Sequence, residues 1–578
     1  MKTNKIIYTL ALAATLGLTS CDDFLDTVPD NRVELSTTEH LRKLMNAAYP
    51  QANYGWPCEL SSDNFEDNNA PDENGLRYNL ASYDRGDDEM FAWEPCRSNT
   101  DNDSPSGIWQ AYYLSAAHAN AVLHRLDQIE AEGQRLDDTQ RAIKGEALVL
   151  RSYCHFVLAN VFCQAYAGPE QSKTLLGIPY ATEPETVVKP HYERGTLAET
   201  YEKIQKDLEE GLPLISNGLY EIPKYHFNVS AANAYAARFY LYIRDYEKCL
   251  EAANTAFGGA DVDVTQYLCT VWNNLGNFYY ISDFGKYNQN IDKPHNFLLF
   301  ATYSTSFRHF ASGCRYGVIR DARIGTLRGP GPSWVRYEWV QTNGKGSTFY
   351  MNPCFNGACG SNGQSEYGTY CAATISEQFE YTDKVAGIGY AHVTRPEFSG
   401  DELLLTRAEA KLFLGDVAGC FADLKAWDLN RQHNVNVEPS DSRYVEFTPE
   451  TLVSFYTDQT IRNNYVTTHG IVKPINIDQV CPSEHAVTPD IEPYLQCIQH
   501  FRRIETVHLG LRWFDIKRYG IEFTRKIGKS REEFLALGDE RRAIQIPQEV
   551  IAAGMQPNPE KPIVDQRMKD QPKIVLAN

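Results

Sequence analysis

"NVSAANAYAARFYLYIRDYEKCLEAANTAF", residues 228–257, decides the architecture. Its small and apolar residues recur at three- and four-residue steps, the period of a helix with one buried face. The run breaks at Arg244-Asp245 and resumes, so it predicts two helices joined by a tight turn. Residues 406–428, "TRAEAKLFLGDVAGCFADLKAWD", repeat the pattern. Ala237, Leu241, Asp245 and Cys249 reappear at the same spacing as Ala408, Leu412, Asp416 and Cys420. Small residues let paired helices approach, and large ones fill the gap between them.

An Ala-x-x-x-Leu helix, a tight turn and a second helix resemble the tetratricopeptide hairpin. Outward from these two hairpins, helices are expected over 41–48, 108–129, 140–168, 196–214 and 496–519. Gly168-Pro169 is expected to stop the third of these, and Thr196 with Glu199 reads as a capping box for the fourth. Three or four hairpins are expected, separated by other sequence. Residues 258–398 and about 430–495 read as irregular inserts of loops and short strands. The expected fold is mostly α: tetratricopeptide-like helical hairpins forming a scaffold, with long loop-rich inserts and a few short strands.

The chain has 578 residues and a net charge of −20, which argues against nonspecific binding to nucleic acid or to an anionic membrane. It suits an uncharged ligand. Tyrosine and tryptophan number 35 and 8, enough to stack on sugar rings as well as to fill a core. The 14 cysteines show no CxxC pair and no zinc-finger spacing. Cys154, Cys163, Cys249 and Cys420 fall on apolar helical faces and read as small buried hydrophobes. Cys354, Cys359 and Cys371 lie close enough in sequence for a bridge among them. The acid-rich loop 61–75 holds Asp63, Asp67, Asp72 and Glu73, but its spacing fits no EF-hand, and no metal or other cofactor is expected.

The N-terminus has a different logic. Lys2 and Lys5 precede an apolar run too short to span a bilayer, followed by "LTSCDDFLDTVP" (18–29). Leucine, two small residues and a cysteine resemble the bacterial lipobox. That resemblance implies cleavage after residue 20 and lipid attachment at Cys21, with stable anchoring through several acyl chains. The acids Asp22, Asp23 and Asp26 resemble the surface-export tag of Bacteroidetes lipoproteins. The expected organisation is a leader over 1–20 and a single domain over 21–578, with hairpins at about 108–257 and 400–430 and a C-terminal part from about 300.

Motifs along nearly the whole chain resemble the SusD/RagB family of outer-membrane nutrient-binding lipoproteins. They are, in order, "GEALVLRSYCHF" (145–156), "GIPYATEPE" (177–185), "TLAETYEKIQKDLEEGLPLI" (196–215), the two hairpins, "ETVHLGLRWFDIKRYG" (505–520) and "AIQIPQEVIAAGMQPNP" (543–559). Arg151 and Tyr153 match the first motif. His508 and Leu509 depart from the fifth, where the family often has an aromatic and an acid. The resemblance implies a cell-surface protein that binds a glycan, or in some branches a peptide, and acts as a lid on a SusC-like TonB-dependent transporter in the outer membrane.

Candidate ligand contacts come from loops that combine aromatic faces with hydrogen-bond donors. "YGWPCELSSDN" (54–64) offers Trp56 and Asn64. "MFAWEPCRSNTDND" (90–103) offers Trp93, Arg97 and Asn99. "LRGPGPSWVRYEW" (327–339) offers Trp334, Arg336, Tyr337 and Trp339. Trp109, on a helical stripe, reads as core. Arg512, Asp515 and Arg518, at three-residue steps, read as a structural ion network, as does Arg151. No HExxH, GxSxG or Walker sequence appears. A binder with no chemistry is favoured over a lipid-anchored glycoside hydrolase.

Overall fold

The computed structural model describes residues 35–71, 75, 85–184, 192–270, 281–311, 315–323, 325–326, 329–333, 354–356, 370–372, 374–431, 446–458 and 470–559. Its main helices are α1 (Thr38–Asn46), α2 (Gly55–Ser61), α3 (Pro105–Ala131), α4 (Asp138–Phe162), α5 (Leu197–Gly211), α6 (Val229–Ile243), α7 (Tyr246–Phe257), α8 (Gly400–Phe413), α9 (Val417–Arg431), α10 (Pro449–Thr457), α11 (Glu492–Glu505) and α12 (Leu511–Arg518). The main strands are β1 (Asn296–Tyr303), β2 (Glu377–Asp383), β3 (Ile388–Ser399), β4 (Phe523–Ile527) and β5 (Arg531–Leu535).

The two quoted hairpins form as read. Asn228 caps α6 by accepting from the Ala231 amide, and Asp245 caps α7 by accepting from the Lys248 amide. Asp416 does the same in the second hairpin, accepting from the Gly419 amide at 2.8 Å. The turns need a left-handed residue. Gly415 supplies it in one, at φ 84, and Arg244 in the other, at φ 63. Arg244 is held there by bonds from its guanidinium to the Asp478 carboxylate (2.9 Å), the Cys481 carbonyl (2.5 Å) and the Tyr246 hydroxyl (3.1 Å). Ala237, Leu241, Cys249, Ala408, Leu412 and Cys420 are all buried. α7 packs on α8, so hairpins distant in sequence are stacked in space. α3 packs on α4, and α4 on α5, to continue the scaffold.

Two helices differ from expectation. α4 ends at Phe162, well before Gly168-Pro169, because its last carbonyls are taken by a buried cation. Lys517 donates to the carbonyls of Asn160 (2.5 Å) and Cys163 (2.6 Å). The C-terminal run is two helices. His508 and Gly510 both have positive φ and split α11 from α12. A Cβ at Gly510 would lie 2.9 Å from Cβ of Cys58, so glycine is required. His508 stacks on Phe310 at 4.2 Å, and the Leu509 carbonyl accepts from Arg395, so the two departures lie in a packed turn.

Inside the 258–398 insert, β1, β3 and β2 form an antiparallel sheet in that order. β3 is twelve residues long, more than the short strands expected. Residues 354–356 pair with 370–372, while the side chains of Cys354 and Cys371, and all of Cys359, lie outside the described residues. Among the described cysteines, Cys58, Cys96, Cys154, Cys163, Cys249, Cys269, Cys420, Cys481 and Cys497 are free thiols. Trp109 is buried against Phe162.

Buried ion pairs tie these elements together. Arg238 on α6 reaches Glu397 on β3 (2.7 Å) and Glu402 on α8 (3.3 Å). Arg502 on α11 reaches Glu402 and Asp515, each at 3.2 Å, and Arg518 reaches Asp515 (3.3 Å) and Glu409 (2.5 Å). Arg512 turns away from Asp515 and grips Asp63 with two bonds, at 2.7 and 2.9 Å. Arg151 holds Asp207 in the same bidentate way, at 2.6 and 2.7 Å.

Candidate functional site

The structure separates the sequence-derived contacts. Trp56 is only 2% exposed. Its indole N–H donates to Asp87 (2.7 Å), and its ring packs against Phe65, His309 and Phe310. The expectation that it presents a stacking face is corrected: it is a core residue. Asn64 is fully buried, donating to Glu59 (3.0 Å) and accepting from Arg503 (2.8 Å), so it positions buried charged groups.

Trp93 is half-buried at φ 55, with its N–H donated to the Ser61 carbonyl at 2.9 Å. Arg525 lies over its ring at 4.3 Å, and Phe523 meets it edge-on. It borders a cavity of about 50 Å³, far below the size of a sugar-binding pocket. Arg525 thus covers part of the ring face expected to stack on a ligand. Arg97 is exposed, and its amide donates to Glu89 (2.7 Å). Asn99 accepts from the Asp101 amide at 2.7 Å and shapes the turn. Trp334, Arg336, Tyr337, Trp339 and Cys21 lie outside the described residues.

The same 90–103 loop nonetheless leads to a site. Thr100 and Asn102 line a groove of about 340 Å³ together with Tyr49, Gln51, Gln110, Leu114, His118 and Tyr303. One wall is α3. Gln110, Leu114 and His118 stand four residues apart on it, hence on one face. Leu114 is 58% exposed, large for a leucine on a helix whose other face is core. Asp103 fixes the rim. It is buried, accepts from the Thr305 amide (2.9 Å) and Ser304 hydroxyl (3.1 Å), and burial pushes its carboxyl up to about 7. Ser104 caps α3 by accepting from the Gly107 amide. A Cβ at Gly107 would lie 2.3 Å from the Asp101 carbonyl oxygen, so only glycine lets the rim approach the helix this closely.

The opposite wall is the end of the sheet. Tyr303 pairs with His392 across β1 and β3, with ring centroids 4.3 Å apart. Tyr390, 58% exposed, meets Tyr303 edge-on at 5.7 Å. His392 bonds Glu380 at 2.7 Å. Alternation along the strands places Tyr303, Tyr390, His392 and Glu380 on one face, a platform continuous with the groove. A second groove of about 370 Å³, around His124 and Arg125, has no aromatic in its described lining.

Asp63 and Asp67 of the acid-rich loop are taken by arginines. Asp63 pairs with Arg512, and Asp67 with Arg315 at 2.7 Å. Asp72 and Glu73 lie outside the described residues. Among the described residues no group of His, Cys, Asp or Glu is arranged to hold a metal ion, and no helix is long and apolar enough to cross a membrane.

Residues 23–241 match a family model, SusD-like, described as "starch-binding associating with outer membrane". Solved structures share the fold over nearly the whole chain. A SusD superfamily protein from Bacteroides thetaiotaomicron aligns with TM-score 0.57 at 16% identity, covering 90% of this chain and 100% of its own. A SusD superfamily protein from Bacteroides vulgatus gives 0.53 at 17% identity, covering 91% and 99%. The chain has the SusD-like fold. A putative sugar binding protein from Bacteroides vulgatus gives 0.52 at 18% identity, also covering 91% and 99%. No curated protein matches. The groove residues Gln110, Leu114 and His118 escape sequence reasoning. Tyr303 closes the apolar strand "NFLLFATY" inside the 258–398 insert. Leu114 was the detectable signal, an apolar residue off the buried stripe of its helix.

Proposed function

We propose that the protein is a cell-surface lipoprotein, anchored through Cys21, that binds a glycan and delivers it to a SusC-like TonB-dependent transporter in the outer membrane. The groove carries this reading. Its volume falls in the range of small-ligand sites. Tyr303 and Tyr390 offer faces for sugar rings, and Gln51, Thr100, Asn102 and Gln110 offer amides and a hydroxyl for their hydroxyl groups. The described lining contains no carboxylate, and Asp103 beneath the rim bonds Ser304 and Thr305 through Oδ2. Trp334, Arg336, Tyr337 and Trp339 are proposed as further contacts on the ligand. The family match to a description of outer-membrane association supports the location.

The test is a glycan and peptide array on the chain lacking its leader, followed by calorimetry on Tyr303→Ala. Loss of an aromatic stacking contact worth on the order of 1 kcal/mol lowers affinity at least several-fold, with thermal unfolding unchanged. Retention of parental affinity in Tyr303→Ala would place the site elsewhere. Capture of peptides alone would move the ligand class.

The anchor is tested separately. Cys21→Ala is expected to leave the protein unlipidated and absent from washed membranes in cells lacking the transporter. Equal membrane retention of the variant would overturn the assignment.

A further inference from the structure

We propose, resting on the groove read above as the ligand site, that Asp103 is a positioning residue that clasps the two walls of that groove together, and that the clasp loosens when its carboxyl ionises. Asp103 joins the walls by sequence and by contact. On one side it follows Thr100 and Asn102, which line the groove, and precedes Ser104, the cap of α3. On the other its Oδ2 accepts from the Thr305 amide (2.9 Å) and the Ser304 hydroxyl (3.1 Å), the two residues after Tyr303. Each wall is pinned to its own support. Ser104 accepts from the Gly107 amide on α3 (3.2 Å). The Tyr303 amide donates to the Gln51 carbonyl (2.8 Å), and the Ser304 amide to the Ala391 carbonyl (3.2 Å). Asp103 bonds the rim to the end of the sheet, so the gap between Asn102 and Tyr303 follows its side chain.

The carboxyl is badly placed to carry charge. Asp103 is buried, its Oδ1 has no hydrogen-bond partner among the described residues, and no cation among them pairs with it. Burial outweighs the bonds to Oδ2, and the like charge of Asp101 adds to it, so the carboxyl rises to about 7. The other charged groups on the surrounding elements are directed elsewhere. Arg308, just past Thr305, pairs with Glu377 (2.6 Å), Arg395 on β3 with Glu397 (2.6 Å), and His392 with Glu380 (2.7 Å). His309 lies 3.9 Å from Asp87, Arg97 is exposed on the loop, and His118 lines the groove from α3. Near neutral pH Asp103 is therefore divided between two states. Protonated, it is a neutral acid that tolerates burial. Ionised, it needs water at Oδ1, and water reaches it when the rim lifts from Ser304 and Thr305. Stabilisation of the closed rim is thus complete below the ordinary aspartate value near 4 and is lost as pH rises through about 7.

The experiment reads the clasp first without a ligand. Hydrogen exchange of the mature chain is followed by mass spectrometry from about pH 5.5 to about pH 8.5, with each rate divided by the intrinsic exchange rate at that pH. Peptides covering 98–104 and 301–306 are expected to lose protection about tenfold across this range, while those of the α6–α7 hairpin keep theirs. Asp103→Asn keeps a carbonyl oxygen for Ser304 and Thr305 and cannot ionise, so its peptides should hold the same protection at both ends. Unchanged protection in the parent, or the parental loss in Asp103→Asn, would overturn the proposal and assign any titration to His118 or His392. Calorimetry then uses the tightest binder from a panel of gluco-, manno-, xylo- and galacto-oligosaccharides. The parent is expected to bind it about threefold or more weakly at about pH 8 than at about pH 6, Asp103→Asn equally at both, and Asp103→Ala weakly at both. Equal affinity of the parent at the two values would overturn the clasp's hold on the ligand site. Absence of binding throughout the panel, with the exchange signature present, would remove the glycan reading and leave the clasp standing.

Discussion

Asp63→Ala is expected to lower stability by about 3–5 kcal/mol, the loss that follows when one side of a buried ion pair is removed. Asp63 sits where α2 runs into the acid-rich loop, with its side chain 3% exposed. Arg512 holds it with two bonds, Lys473 lies at 2.6 Å and Arg503 at 3.6 Å. Alanine leaves three buried cations facing each other without their anion. Urea denaturation of the mature chain measures the difference. A loss below about 1 kcal/mol, the scale of an exposed pair, would show that the cluster relaxes around the deletion. The pH dependence has a definite sign. Burial alone would raise the Asp63 carboxyl, but Arg503, Arg512 and Lys473 outweigh it and hold it well below the usual carboxylate range. The stabilisation it brings is present above the ordinary aspartate pKa near 4 and is lost only as pH falls through the lower folded value.

Glu397→Ala should be of comparable size. Glu397 is wholly enclosed and accepts from Arg238 (2.7 Å), Arg395 (2.6 Å) and the Tyr54 hydroxyl (2.9 Å). Its removal strands Arg395 and halves the neutralisation of Arg238, which keeps Glu402. A destabilisation of about 3–5 kcal/mol is expected by the same reasoning. Glu397→Gln keeps the shape and a hydrogen-bonding oxygen and removes only the charge, so it should lose less. If the glutamine variant loses as much as the alanine variant, charge outweighs shape at this position. If both lose under about 1 kcal/mol, the network is not what joins α6 to β3.

The helical scaffold was readable because its determinants are local. A capping box spans four residues, and Thr196 with Glu199 forms one in the structure. The Ala-x-x-x-Leu stripe and the aspartate at each turn are equally short-range, and both hairpins follow them. The break between α11 and α12 was missed because half of its signal lies in His508, a residue type that takes positive φ only in a minority of cases, here packed against Phe310. The site was less readable for a related reason. Whether a tryptophan in a polar loop faces solvent depends on what folds over it. Trp56 is covered by His309 and Phe310, and Trp93 by Arg525, all far off in sequence. The 90–103 loop borders the groove, but through the small polar Thr100 and Asn102, which carry no aromatic flag.

The two faces of α3 are independent in a way that bears on the proposed ligand groove. Tyr112, Ala116 and Ala119 are sealed in the core, while Gln110, Leu114 and His118 look into the groove. Exchanges at these three positions leave the buried face untouched, and surface substitutions of that kind shift stability by about 0.5 kcal/mol or less. Along the helix axis the three span about 12 Å, enough to meet more than one unit of a chain-like ligand. A lineage could thus retune its appetite by editing three side chains in one turn-spaced row, with neither the rim held by Gly107 nor the buried ions having to follow. Divergence in taste and persistence of fold are, on this helix, separate inheritances.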